Sequence, residues 1–120
     1  EFLLDLDYIF EWVKPQEDES FFQFWVAPVT MVFNNAHSVI IDVESPQGTI
    51  EIADLHRGEP ESTPNTKATQ CSYRFECQEG VISLVATGFE LFVRRAPELL
   101  GVQSLSLSQR GGISFERELK

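Results

Sequence analysis

An all-β, antiparallel fold is predicted by three observations. Apolar and polar residues alternate in short runs; ten Phe stand with many Val and Ile against a single Met; and turn-forming residues punctuate the chain at spacings of about 8 to 14 residues. Aromatic and β-branched side chains pack well on pleated surfaces, and this spacing is that of a β-sandwich or barrel of about eight or nine strands, with at most one short helix. At 120 residues, 42% hydrophobic and 23% charged, the chain has the size and composition of one globular domain, 1–120, with one core.

The first run places Leu4, Leu6, Tyr8, Phe10 and Trp12 on one face and Asp5, Asp7 and Glu11 on the other, so it reads as a strand with an apolar core face and a solvated acidic face. A helical reading through Leu3, Leu6, Phe10 and Val13 competes with it. The acidic stripe, with Glu17-Asp18-Glu19 in the following loop, also suits docking of a basic partner or weak cation binding. Phe21 to Phe33 is a buried strand in which Pro28, lacking an N–H, marks a bulge, bend or edge. Asn34-Asn35 supplies turn chemistry.

Val39, Ile41 and Val43 point inward against Asp42 and Glu44, and Ser45-Pro46-Gln47-Gly48 suits a tight turn into Ile50 and Ile52. The pattern predicts a hairpin. Gly58 to Thr69 has no hydrophobic period and reads as a long exposed loop. Cys71, Tyr73, Phe75 and Cys77 then share one strand face, Gln78-Glu79-Gly80 turns the chain, and Val81–Ala86 and Phe89–Val93 continue a meander. Phe92, on the opposite face from Phe89 and Leu91, is placed for sheet or subunit contact. Ala96 to Gly101 fits one helical turn, and Leu105-Leu107 and Ile113-Phe115 read as final short strands.

The formal net charge is −10, from 19 acidic and 9 basic residues, which repels phosphate backbones and excludes an ordinary nucleic-acid-binding surface. It suits attraction of a basic protein partner. In one strand Cys71 and Cys77 stand about 20 Å apart, too far for a disulfide. Two free thiols, no apolar run long enough for a membrane span, and no cationic leader read as a cytoplasmic protein.

One place gathers chemistry-bearing side chains: Asp54-Leu55-His56-Arg57. Asp54 and His56 share a strand face about 7 Å apart, the arrangement of a carboxylate-oriented base or half of a metal site, or of a strand end turning polar as it leaves the sheet. No Cys-x-x-Cys or His-x-x-x-His spacing accompanies it, so neither metal nor cofactor is expected. A ligand pocket is the competing reading, lined by Trp12, Trp25 and Tyr73 with Asp54, His56 and Arg57 at its mouth. A third reading is an enzyme of unassigned activity. Homo-oligomerisation through an exposed strand edge is compatible with each.

The layout of Phe24-Trp25-Val26-Ala27-Pro28-Val29-Thr30-Met31-Val32-Phe33 through Ile50-Glu51-Ile52-Ala53-Asp54-Leu55-His56-Arg57, and of Gly88-Phe89 through Arg110-Gly111-Gly112, resembles small uncharacterised bacterial β proteins. Some of these are similar to immunity proteins of polymorphic-toxin systems, and others are carried as mobile gene cassettes. The resemblance covers roughly 21 to 117 and contains no catalytic motif, so no site residue follows from it. It implies a non-enzymatic, acidic, partner-binding protein.

Overall fold

A computed structural model describes residues 1–16, 21–46, 48–65 and 68–118. Glu17-Asp18-Glu19 and Gln47, singled out above, lie outside them. Among the described residues nine strands form: β1 (Phe2–Val13), β2 (Gln23–Asn34), β3 (His37–Val43), β4 (Ile52–Arg57), β5 (Glu61–Ser62), β6 (Thr69–Cys77), β7 (Gly80–Ala86), β8 (Gly88–Val93) and β9 (Glu98–Leu100). One helical turn, α1 (Leu107–Arg110), follows. The all-β class and the strand number stand as predicted, and the helix content of the described residues stays within the one short helix allowed. One sheet has the order β1-β2-β8 with β9 also on β2, and the other has the order β3-β7-β6-β4 with β5 on β6. Neither closes into a barrel among the described residues. The chain divides into two compact units, Glu1–Phe2 with Phe33–Phe89, and Leu3–Val32 with Glu90–Lys120.

The first unit holds the β3-β7-β6-β4 sheet. Alternation along β6 and β7 buries Tyr73, Phe75, Ile82, Leu84 and Ala86 on one face, as the sequence pattern requires. The Phe33 ring is fully buried there, edge-on to Tyr73 at 5.0 Å and Phe75 at 5.8 Å and tilted against Phe89 at 5.5 Å. Asn35 takes the left-handed conformation expected of the turn before β3 (φ 52°). Cys71 and Cys77 are free and lie in one continuous strand.

The expected hairpin between β3 and β4 does not form. A turn exists, with the Gly48 N–H donating to the Ser45 carbonyl at 3.0 Å and Gly48 at φ 80°, but the two strands lie at opposite sides of the sheet. β3 pairs with β7 and β4 with β6. The 44–51 connection passes the β6–β7 turn instead: Glu44 N–H donates to the Glu79 carbonyl, Gln78 N–H to the Glu51 carbonyl, and Glu51 N–H to the Glu79 carboxylate. Local turn chemistry was satisfied without setting the strand partners. Gly80 makes the β3–β7 pairing possible, since a Cβ there would stand 2.1 Å from the Asp42 carbonyl oxygen. As an edge strand, β3 leaves Val39, Ile40 and Ile41 exposed, contrary to the inward placement of Val39 and Ile41.

Two further expectations change. The meander ends at β7, because β8 belongs to the other sheet. The loop from Gly58 to Thr69 contains β5, paired through Glu61 with Gln70 and Ser62 with Thr69.

In the second unit β2 is buried at every residue from Val26 to Val32, the pattern of a strand covered on both faces. Pro28 falls where its partners break: β9 pairs with Phe24 to Val26, β8 ends at Val93, and the Arg94 N–H donates to the Pro28 carbonyl at 2.9 Å. Phe24, Val26 and Leu105 form a buried cluster with Ile9 and Leu100 packed against it.

That cluster fixes the orientation of β1, opposite to expectation. Ile9 faces the core with Asp5 and Asp7 on its side of the strand, so Tyr8 and Phe10 turn outward, their rings 4.9 Å apart and both exposed. The C-terminal part also differs. Ala96 to Gly101 contains β9 rather than a helical turn, and the Ser/Leu alternation read as a strand contains α1. Ser106 accepts from Gln109 N–H while the Gln109 side chain accepts from Ser106 N–H, a capping box that starts a helix. Gly111, left-handed at φ 76°, ends it. Ile113 and Phe115 are exposed and in no strand.

Candidate functional site

The pairing of β4 with β6 puts Asp54 opposite Glu76 and His56 opposite Arg74. Residues opposite one another across a ladder share a face, so the outward face of β6 (Ser72, Arg74, Glu76) brings a second carboxylate to the predicted Asp54/His56 pair. His56 Nε2 lies 3.2 Å from Glu76 Oε2 and 3.9 Å from Asp54 Oδ2. Leu55 N–H donates to Asp54 Oδ1 at 2.8 Å, which leaves Oδ2 toward the imidazole. The side chains are 43% (His56), 62% (Asp54) and 57% (Glu76) exposed. Arg57 alternates to the other face, opposite Tyr73.

His56 and Arg57 both border an open depression of about 410 Å3, bounded also by Ser38, Ser72, Arg74, Ser83 and Val85 among others. Tyr73 contributes to it and is nearly fully buried; burial pushes its phenol up from the ordinary value. Burial likewise pushes the Cys77 thiol up, away from the thiolate a nucleophile requires. Trp12 and Trp25 do not line this depression. Trp12 is exposed, with its ring edge-on to Phe24 at 4.9 Å and Phe22 at 6.0 Å.

In the second unit two of the three acids of the expected solvated stripe, Asp5 and Asp7, are drawn inward. Asp5 Oδ1 accepts from Arg94 NH2 at 2.6 Å and Arg110 NH2 at 2.7 Å, and Oδ2 accepts from Arg110 NH1 at 2.7 Å and Ser114 N–H at 3.2 Å. Asp7 accepts from Arg110 Nε at 2.9 Å and Leu105 N–H at 3.3 Å. Arg94 also donates to Thr30 Oγ1, which donates to the Glu116 carbonyl. The side chains of Arg94, Asp5 and Arg110 are 4%, 8% and 9% exposed. Burial pushes the Asp5 carboxyl up, but hydrogen bonds from Arg110, Arg94 and Ser114 outweigh it and hold the group below the ordinary range. The hydrogen bonds that Arg110 donates to Asp5, followed by the one to Asp7, raise its guanidinium further above its already high value. Two carboxylates balance two guanidiniums, so the network holds the segment from Leu105 to Glu116 against the sheet. Glu11 alone of the stripe is exposed.

The second unit also exposes apolar side chains. Trp25 lies between Phe24 and Val26 and therefore projects from the opposite side of β2, the side that Tyr8 and Phe10 take on β1. Leu99 of β9 stands directly opposite Trp25. All four are exposed, Phe10 at 47% and Trp25 at 37%.

Of the sequence-predicted residues, the structure therefore joins Asp54 with His56, keeps Arg57 on the rim of the depression beside His56 although it alternates to the other face of β4, and leaves Trp12 and Trp25 in the second unit on its exposed aromatic surface. Glu76, Arg94 and Arg110 were missed as partners. An arginine ending the apolar run Phe89–Val93 was the available signal, because a buried guanidinium needs an anion.

These features define a small antiparallel β protein with a charge network inside one unit and a histidine–carboxylate cluster outside the other. No family model matches the chain, and neither a curated protein nor a solved structure does. No helix among the described residues is long and apolar enough to cross a membrane.

Proposed function

We propose that this chain is a non-catalytic binding domain whose ligand is another protein, met by the exposed face of Tyr8, Phe10, Trp25 and Leu99. That face carries the reading. Aromatic side chains are enriched at protein interfaces and dominate their energetics, whereas an isolated domain gains nothing by holding several of them together in water. The net charge of −10 and the exposed carboxylates of Glu11 and Glu98 on the same strands favour a partner with a basic rim, drawn in by long-range attraction. An immunity-type role, blocking a basic toxin in a reducing cytoplasm, is the specific form that the resemblance implies, and the free thiols of Cys71 and Cys77 suit that setting.

Affinity capture from the native host with the wild-type chain and with the double variant Phe10→Ser, Trp25→Ser tests this. The expected result is a captured protein that the variant loses while still unfolding cooperatively above the assay temperature, and whose retention weakens with salt. No specific capture, or capture undiminished in the variant, overturns it.

A further inference from the structure

We infer that Asp54, His56 and Glu76 form a surface binding site for a divalent first-row transition metal ion, of which zinc is the representative. The inference is independent of the partner-binding reading. Asp54 Oδ2, His56 Nε2 and Glu76 Oε2 lie within 4.8 Å of one another. Donor atoms about 2.1 Å from one tetrahedral ion are separated by about 3.4 Å. The histidine-to-carboxylate separations of 3.2 and 3.9 Å bracket that value, and an ion bound there replaces the hydrogen bond between His56 Nε2 and Glu76 Oε2.

The donors come from two neighbouring strands whose register is set by the ladder, with Asp54 opposite Glu76 and Leu55 opposite Phe75. Phe75 is buried on the other face, so the backbone beneath the donors is anchored in the core. The hydrogen bond from Leu55 N–H to Asp54 Oδ1 is the kind of outer-shell support that orients a carboxylate ligand.

The donor set selects the ion. One imidazole nitrogen with two carboxylate oxygens is too nitrogenous for calcium or magnesium, which take oxygen ligands, and lacks the sulfur that copper(I) prefers. The solvent side leaves positions for water. Arg74, opposite His56 in register, opposes the cation electrostatically and offers no donor, which sets the affinity below that of a buried site. The other histidine, His37, is separate: its Nε2 meets Gln70 Oε1 and its Nδ1 meets Ser38 Oγ, each at 3.0 Å.

The test is calorimetric titration of zinc into the full chain after chelator dialysis, with cobalt(II) absorption spectra reading nitrogen and oxygen ligation. The expected result is saturable binding of one ion per chain. His56→Ala and Glu76→Gln each weaken it by more than about tenfold, since even outer-shell partners are worth that much, while His37→Ala leaves it unchanged. Absence of saturable binding overturns the site. Binding that persists in both His56→Ala and Glu76→Gln also overturns it, as diffuse attraction to an acidic surface.

Discussion

The two units use the same chemical groups in opposite ways. In Leu3–Val32 with Glu90–Lys120, the carboxylates of Asp5 and Asp7 and the guanidiniums of Arg94 and Arg110 are drawn out of water and satisfy one another, and every buried side-chain nitrogen or oxygen among the described residues has a partner. In Phe33–Phe89 the core is made of rings and aliphatic chains, and the carboxylates with their histidine stand in solvent. A group buried with its counter-charge is committed to the fold, because removing either partner leaves a charge stranded in low dielectric. A group left in water contributes little to stability and stays available to a ligand. The contrast separates structural from functional charge by environment rather than by residue type.

The sharpest way to break this comparison is Asp5→Asn, which leaves Arg94 and Arg110 without their shared carboxylate. Denaturant unfolding at neutral pH is expected to show a loss of about 3–5 kcal/mol, and a loss below about 1 kcal/mol would dissolve the distinction. Acid adds a second reading. The folded carboxyl titrates below its unfolded value of about 3.9, so its contribution is fully present above that value and is lost as pH falls through the folded pKa. The variant's stability should therefore vary less with pH across that window than the wild type's.

Gly80→Ala probes the other unit's backbone. At φ 148°, with the Asp42 carbonyl 2.1 Å from the new Cβ, the β3–β7 ladder must shift, at a cost of about 1–3 kcal/mol. Loss of amide protection at Ile41 and Val43 would localise the damage. Smallest of all, His56→Ala should change stability in metal-free buffer by no more than about 0.5 kcal/mol, read from the same unfolding curves. A larger loss would make the His56 cluster structural.

Much of the strand pattern was legible because alternation reports burial directly: Tyr73 and Phe75 on β6, and the long apolar run of β2, needed no knowledge of their neighbours. Partnerships were not legible. Ser45 to Gly48 did form a turn, yet which strands lie side by side was decided by hydrogen bonds to Glu79 and by the bare Cα of Gly80, neither of which the turn encodes. β1 misled because alternation shows that two faces differ, not which one is inside. The usual assumption put Tyr8 and Phe10 in; the packing of Ile9 against Phe24, Val26 and Leu105 and guanidiniums 89 and 105 residues away reverse it. The candidate site was half visible, as Asp54 and His56 are two apart on one strand, whereas Glu76 reaches them through a ladder pairing. The C-terminal segment failed on a four-residue helix, too short for periodicity to reveal; Ser106 with Gln109 was its one readable sign.

Asp5 is joined to Arg110 and Ser114 across 105 and 109 residues of sequence, a long-range tie of the kind a disulfide can make. Here the two cysteines are free, and the distant parts of the chain are fastened by charge. Such a fastening ignores reductants, which open a sulfur bridge, and answers to protons instead. Because its members are buried, dissolved salt reaches it only weakly. The clasp is reversible, re-forming each time the chain refolds without an oxidant or an isomerase.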